Sequence, residues 1–174
     1  MSLKKETWEW TKALLIALFC AGLIRYFLFA PIVVDGESMM PTLHNHDRLI
    51  IDKVAYDIGK PHRFDIIVFH ATPTKDFIKR VIGLPGDHIV YRNDTLYVNG
   101  NATPEPYLKP YKKQVKGNLT YDFSTTVPKG CLFVMGDNRR RSKDSRIIGP
   151  VKISSVVGKV DLQFWPLSKF HIVH

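Results

Sequence analysis

The sequence predicts a mostly β protein, in which a single N-terminal transmembrane helix is followed by an antiparallel β-sheet or barrel-like domain. Three observations predict it. One apolar segment, Ala13 to Val34, stands near the N-terminus. Short runs rich in Ile and Val, separated by turn residues, fill most of the chain after that segment. No long amphipathic helix pattern occurs after residue 34.

The helix comes first. Lys4, Lys5 and Lys12, with Trp8 and Trp10, precede the uncharged stretch Ala13 to Ile24, and Arg25 interrupts before Tyr26 to Val34 resumes the apolar run. At about 1.5 Å per residue the whole segment crosses a hydrocarbon core of about 30 Å. Ala13 to Ile24 alone is short enough for the apolar region of a cleaved secretory signal. Bulky apolar residues continue past Phe19-Cys20-Ala21-Gly22, however, and Lys12 and Arg25 can snorkel to the two interfaces, which favours an uncleaved anchor. Lysines cluster before Ala13, whereas Asp35, Glu37, Asp47 and Asp52 outnumber Arg48 and Lys53 just beyond it, so the N-terminus is expected inside. The expected division is 1–12 cytoplasmic, 13–34 anchor and apolar lead-in, and 35–174 an extracytoplasmic β-rich domain.

Within that domain Arg48 to Val54, Phe64 to Phe69 and Phe77 to Ile82 read as strands, the first two parted by Asp57-Ile58-Gly59-Lys60-Pro61. His88 to Arg92 and Thr95 to Val98 form a hairpin through Asn93-Asp94, and Asn99-Gly100 makes the next turn. Asn101 to Asp122, with three prolines and four lysines, has no sustained period and is expected to be an exposed, mobile excursion. Leu132 to Met135 and Val156 to Phe164 supply the last strands, with a helical turn at Val151 to Ser155.

The formal charge of +9 is scattered, with no zinc-finger or RNP-like spacing, so anionic lipid suits it better than nucleic acid. Cys20 lies in the apolar segment and Cys131 in a strand, so both are expected unpaired. No His-Glu-x-x-His, Cys-x-x-Cys or phosphate-binding Gly-rich loop is present, and His44, His46, His62, His70 and His88 read as surface or turn residues. Neither metal nor cofactor is therefore expected.

Gly36-Glu37-Ser38-Met39-Met40-Pro41-Thr42-Leu43 places a serine where the apolar segment gives way to the soluble domain. The wording is not the Gly-x-Ser-x-Gly of a nucleophile elbow. A serine hydroxyl needs a base, and Lys79 is the candidate: on an extended strand it shares a face with Phe77 and Val81, opposite Ile78, Arg80 and Ile82. Apolar neighbours could lower such an amine from about 10.4 to roughly 7 or 8. Taken alone, Ser38 also reads as a turn serine and Lys79 as a solvated lysine on an edge strand. The segment from Gly136 to Gly149 reads as a polar surface loop or as an anion site made by Arg139 to Arg141.

Three stretches together carry a resemblance. Gly36 to Leu43, Ile78 to Asp87, and Gly136-Asp137-Asn138 through Ser142, Asp144-Ser145-Arg146 and Gly149 resemble, in order, the signature boxes of bacterial type I signal peptidases. The resemblance implies a membrane-bound serine endopeptidase that removes signal peptides from exported preproteins, cutting after a small residue. It gives Ser38 as nucleophile and oxyanion donor through its backbone N–H, Lys79 as general base, and Ser142 as the hydroxyl that orients the lysine. It makes Asp144 and Arg146 an ion pair, and Asp137 and Asn138 residues that hold the loop. Gly36 stands where many Gram-negative members have a serine, and the compact length is similar to Gram-positive members. An extended substrate is expected beside Ile32, Val34, Asp76 and Ile78. The implied partners are signal-peptide-bearing preproteins, membrane lipid and the export machinery, with no nucleic acid, at the cytoplasmic membrane of a bacterium. Two alternatives share parts of this pattern: a self-cleaving Ser/Lys repressor, opposed by the apolar segment and the lack of a helix-turn-helix, and a non-enzymatic, membrane-anchored β module that binds wall polymer or anionic lipid.

Overall fold

A computed structural model describes residues 3–173, and the side chains of these apart from 3–5, 23–27 and 57. The chain runs α1 (Leu3–Phe27), β1 (Phe29–Val33), β2 (Arg48–Asp52), α2 (Ala55–Ile58), β3 (Ile66–Thr72), β4 (Lys75–Gly83), β5 (His88–Arg92), β6 (Thr95–Val98) and β7 (Asn101–Thr103). It continues through α3 (Lys109–Lys112), β8 (Phe123–Thr126), β9 (Cys131–Met135), α4 (Ser145–Ile148), β10 (Val151–Lys152), β11 (Val156–Trp165) and β12 (His171–Ile172).

Every described strand pair is antiparallel. The larger sheet has the order β1-β2-β11-β3-β4-β9-β10, with β12 added to β11, and the smaller has the order β7-β6-β5-β8. Among the described residues the larger ladder does not close on itself, so the expected barrel-like domain resolves into two sheets. β3 explains why its sequence is apolar without alternation. Ile66 and Val68 enter one core cluster with Leu49, Ile51 and Val160, while Ile67 and Phe69 enter another with Val81, Leu132 and Val134. A third cluster, around Ile89, Tyr91 and Phe133, lies between β9 and the smaller sheet.

Local turn chemistry places the hairpins as expected. Asn93 and Asp94 both have positive φ, 48° and 59°, as do Asn99 and Gly100, 52° and 84°. Such pairs form the tight turns whose twist matches that of the flanking strands.

The apolar N-terminal segment divides where one helix was expected. α1 stops at Phe27, and Phe29–Val33 pairs with β2 instead. Pro31 cannot donate to a helix, and Ile32, Val33 and Val34 favour a pleated strand. Among the described residues no helix is long and apolar enough to cross a membrane. The side chain of Arg25, expected at the outer interface, lies outside the described residues.

The expected excursion is exposed over most of its length. It holds β7, α3 and a 3-10 turn at Pro106–Leu108, and it is pinned at several points. Leu108, Leu119 and Thr120 are buried. Glu105 pairs with the buried Arg139, and Tyr107 lies 4.0 Å beneath the Arg80 guanidinium. β8 was not expected from sequence; it pairs with β5. The helical turn near Val151 is a 3-10 turn at Ile153–Ser155, preceded by β10.

If the excursion is docked in this way, Leu108→Ala should cost about 2–4 kcal/mol in urea unfolding. A loss under about 1 kcal/mol would mean that the segment contributes little to the core.

Candidate active site

Ser38 sits in the loop from Val34 to Asp47, whose ends are held by Val34 N–H donating to Asp47 O and His46 N–H donating to Val34 O, each 2.9 Å. Gly36 has φ of 99°, a conformation that a residue with a Cβ adopts only under strain. Its N–H donates to Asn45 Oδ1 at 2.9 Å. On its C-terminal side the loop is tied into the core: Met39 and Leu43 are buried against Leu49 and Ile66. Ser38 is thus mounted on a packed loop.

Lys79 lies on β4, between β3 and β9 in the sheet order, and not on an edge strand. It is 3 % exposed. Its Nζ donates to Ser38 Oγ at 2.8 Å and to Ile78 O at 2.9 Å, and it stands 4.9 Å over the Phe77 ring. Burial lowers the amine from 10.5 to about 8, against the nearby Asp144 and Asp137 carboxylates, which favour its charged form. A hydroxyl in contact with an amine of this basicity can be deprotonated as it attacks a carbonyl.

The segment after β9 clamps the two together. Asp137 accepts from Arg80 Nη2 at 2.9 Å and Nε at 3.0 Å, and also from Thr42 Oγ1. Asn138 N–H donates to Ser38 O at 3.0 Å, and Asn138 Nδ2 to Glu37 O at 3.1 Å. Gly136 must lack a side chain, because a Cβ there would collide with Ser38 O and with the Ser142 side chain. Asp144 is gripped by Arg146 through two 2.8 Å hydrogen bonds and accepts from Gly136 N–H at 3.0 Å. Although burial pushes the Asp144 carboxyl up, Arg146 and the Gly136 N–H hold it below the usual range.

Ser142 is buried beside Gly136, and its hydroxyl helps to hold the Asp144 carboxyl low. Lys79 Nζ gives its hydrogen bonds to Ser38 Oγ and Ile78 O. The Ser38 N–H, expected to face an oxyanion, meets no acceptor among the described residues.

Ile32, Val34, Asp76 and Ile78 line one cleft of about 400 Å³ with Ser38 and Lys79. Two buried arginines escaped sequence reasoning. Arg80 and Arg139 look like surface cations in the one-dimensional pattern, yet neither is more than 2 % exposed. Arg139 donates to Tyr91 Oη at 2.6 Å and Gly136 O at 3.0 Å besides pairing with Glu105. The expected Arg139 to Arg141 anion site is therefore not formed by all three. Among the described residues no group of three or more His, Cys, Asp or Glu could hold a metal ion.

An amine buried against a serine hydroxyl, on an antiparallel β frame and beside a cleft, has the makings of a hydrolase site built on a nucleophilic serine. Comparison with known proteins agrees with that class. The family described as "Signal peptidase, peptidase S26" matches residues 7–165. Signal peptidase I of Bacillus caldolyticus is 53% identical over 171 residues, covering 94% of this chain and 92% of the relative. Signal peptidase IB of Staphylococcus aureus strain COL is 41% identical over 180 residues, covering 97% and 94%. The crystal structure of a signal peptidase I from Enterococcus faecalis V583 is similar with a TM-score of 0.56 at 47% identity, covering 59% of this chain and 97% of that one. The chain belongs to the signal peptidase family, peptidase S26.

The buried amine has a thermodynamic signature. With a folded value near 8 and an unfolded value near 10.5, the unfolded chain binds more protons between these limits. The cost is complete below about pH 8 and fades as the pH rises toward 10.5. Lys79→Met should therefore raise stability at pH 7 by about 1–3 kcal/mol, with the gain shrinking above pH 9 to 10. Equal gains at pH 7 and 10.5 would contradict the burial of a charge.

Proposed function

We propose that this chain is a membrane-anchored serine endopeptidase that frees exported preproteins from their signal peptides, with Ser38 as nucleophile and Lys79 as general base. The observation that carries this reading is the 2.8 Å contact between Lys79 Nζ and Ser38 Oγ, made by an amine lowered to about 8.

Ser38 Oγ attacks the carbonyl carbon before the scissile bond while neutral Lys79 takes the hydroxyl proton. The oxyanion faces the Ser38 N–H. Collapse expels the amine of the mature chain, which takes the proton from Lys79. Water then attacks the acyl ester, giving a proton to Lys79 and releasing the signal peptide as a carboxylic acid, and Ser38 recovers its proton. Asp144 and Arg146 support the segment that carries Gly136, and Asp137 and Asn138 hold the Ser38 loop.

Sheet edges suggest how substrate is held. β4 pairs with β9 only at Arg80, Val81 and Gly83, and β1 pairs with β2 on one side only among the described residues. An extended peptide can add between the free edges at Asp76 to Ile78 and at Ile32 to Val34, with alternate side chains entering the cleft. The apolar lining by Ile32, Val34 and Ile78 suits small uncharged residues.

In this reading α1 is the anchor in a bacterial cytoplasmic membrane, with its N-terminus inside and the β domain outside. Leu14, Leu15, Ile16, Leu18 and Phe19 are each 60 % or more exposed. Side chains of this kind favour lipid over water.

Ser38→Ala and Lys79→Ala, assayed separately on a preprotein in detergent or vesicles, should each lower kcat by at least about 1000-fold. Wild-type rate in either variant would rule the pair out. For the native chain, kcat/KM should fall about tenfold per pH unit below roughly pH 7 and level off above about 8, since the base must be uncharged. A profile flat from pH 5 to 9 would exclude Lys79 as the base.

A further inference from the structure

A second hollow, of about 460 Å³, adjoins the cleft on the far side of the Ser38 loop. Met40 and Pro41 form part of its lining, and Tyr111, Gln114 and Val115 of the excursion form another part. Glu37 and Arg141 line both hollows, so the two meet beside the nucleophile. The excursion wall is tied to the reacting loop through one residue. Tyr111 Oη donates to Asn138 Oδ1 at 3.1 Å, while Asn138 itself donates to Ser38 O and Glu37 O.

The charges differ between the two sides in their balance. The first cleft sets Asp35, Glu37 and Asp76 against Lys79, Arg141 and Lys143. The second has Arg140 and Arg141, with Glu37 its only carboxylate among the described residues. Arg140 is committed to the carbonyls of Lys116 and Asn118. Arg141 is 79% exposed and stands 4.0 Å from Glu37, itself 62% exposed, so that pair is loose and open to exchange.

Position assigns the sides. β1 begins two residues after α1 ends, so the β1 side of the cleft is the one nearest the proposed anchor. A signal segment still held in the bilayer would lie along that side, and the exported part would leave through the other. We propose that the second hollow receives the first few residues of the mature chain, and that Arg141 selects an acidic side chain among them. This rests on the Ser38 and Lys79 reading. Selection acts through charge at an exposed site, so it weakens with salt.

The test uses the full chain in detergent and preproteins identical except for a Glu, Ala or Lys placed within the first few residues after the cut. The native chain should give a kcat/KM about fivefold higher for Glu than for Lys. Arg141→Glu and Gln114→Glu should each bring that ratio to one or below, and Lys129→Glu, an equal charge change outside both hollows, should leave the ratio as it is. A native ratio near one, or a ratio that Arg141→Glu does not alter, overturns the inference while cleavage itself upholds the peptidase reading. If Arg141→Glu leaves the ratio alone and weakens binding to phosphatidylglycerol vesicles, the patch is a lipid contact and the subsite is wrong. Should the native chain cut none of the substrates, the peptidase reading falls and the subsite with it.

Discussion

One buried carboxylate holds this molecule's chemistry in place. Asp137 binds Arg80, the residue next to Lys79 on β4, and Thr42, on the same loop as Ser38. Neither loop nor strand carries the other group, so the distance between amine and hydroxyl depends on a third segment that touches both. A buried ion pair adds little net stability, but removing one partner costs about 3–5 kcal/mol because the other charge is stranded. Such a pair penalises every arrangement except the one it satisfies.

The same clamp sets the basicity of the lysine. Burial favours the neutral amine, while Asp144 and Asp137 favour the ammonium. Each of those carboxylates has its own arginine, Arg146 for Asp144 and Arg80 for Asp137. Without these partners two uncompensated negative charges would stand near Lys79 and push its value above about 8. The arginines therefore moderate the basicity of Lys79 without touching it.

Local chemistry was legible in the sequence, and long-range polar chemistry was not. Asn93-Asp94 and Asn99-Gly100 specify their turns through residues that tolerate positive φ, and the Ile and Val runs of β2, β3 and β4 mark strands by composition alone. Position after the apolar segment and apolar strand neighbours made Ser38 and Lys79 candidates, but only the three resembling stretches favoured them over a turn serine and an edge-strand lysine. Arg80, Arg139 and Glu105 were missed because a buried charge is recognisable only with its partner, and each partner lies at least 34 positions away. The anchors of the excursion were missed for the same reason: they are single residues, Leu108 and Leu119, set in a polar, proline-rich stretch. Pro31 and the β-branched residues after it were visible, but the apolar count of the whole segment outweighed them.

The packing of Met39 and Leu43 sets how Ser38 can move. Both side chains belong to the same cluster as Leu49, Ile51 and Ile66, so the Ser38 turn has no hinge of its own. The bonded amides of Met40 and Leu43 should therefore exchange more slowly than the unbonded Ser38 N–H, and the trough beside the loop is packed in place before any polypeptide arrives. A folded protein cannot reshape it, so only a slack, unstructured stretch of chain can reach the serine.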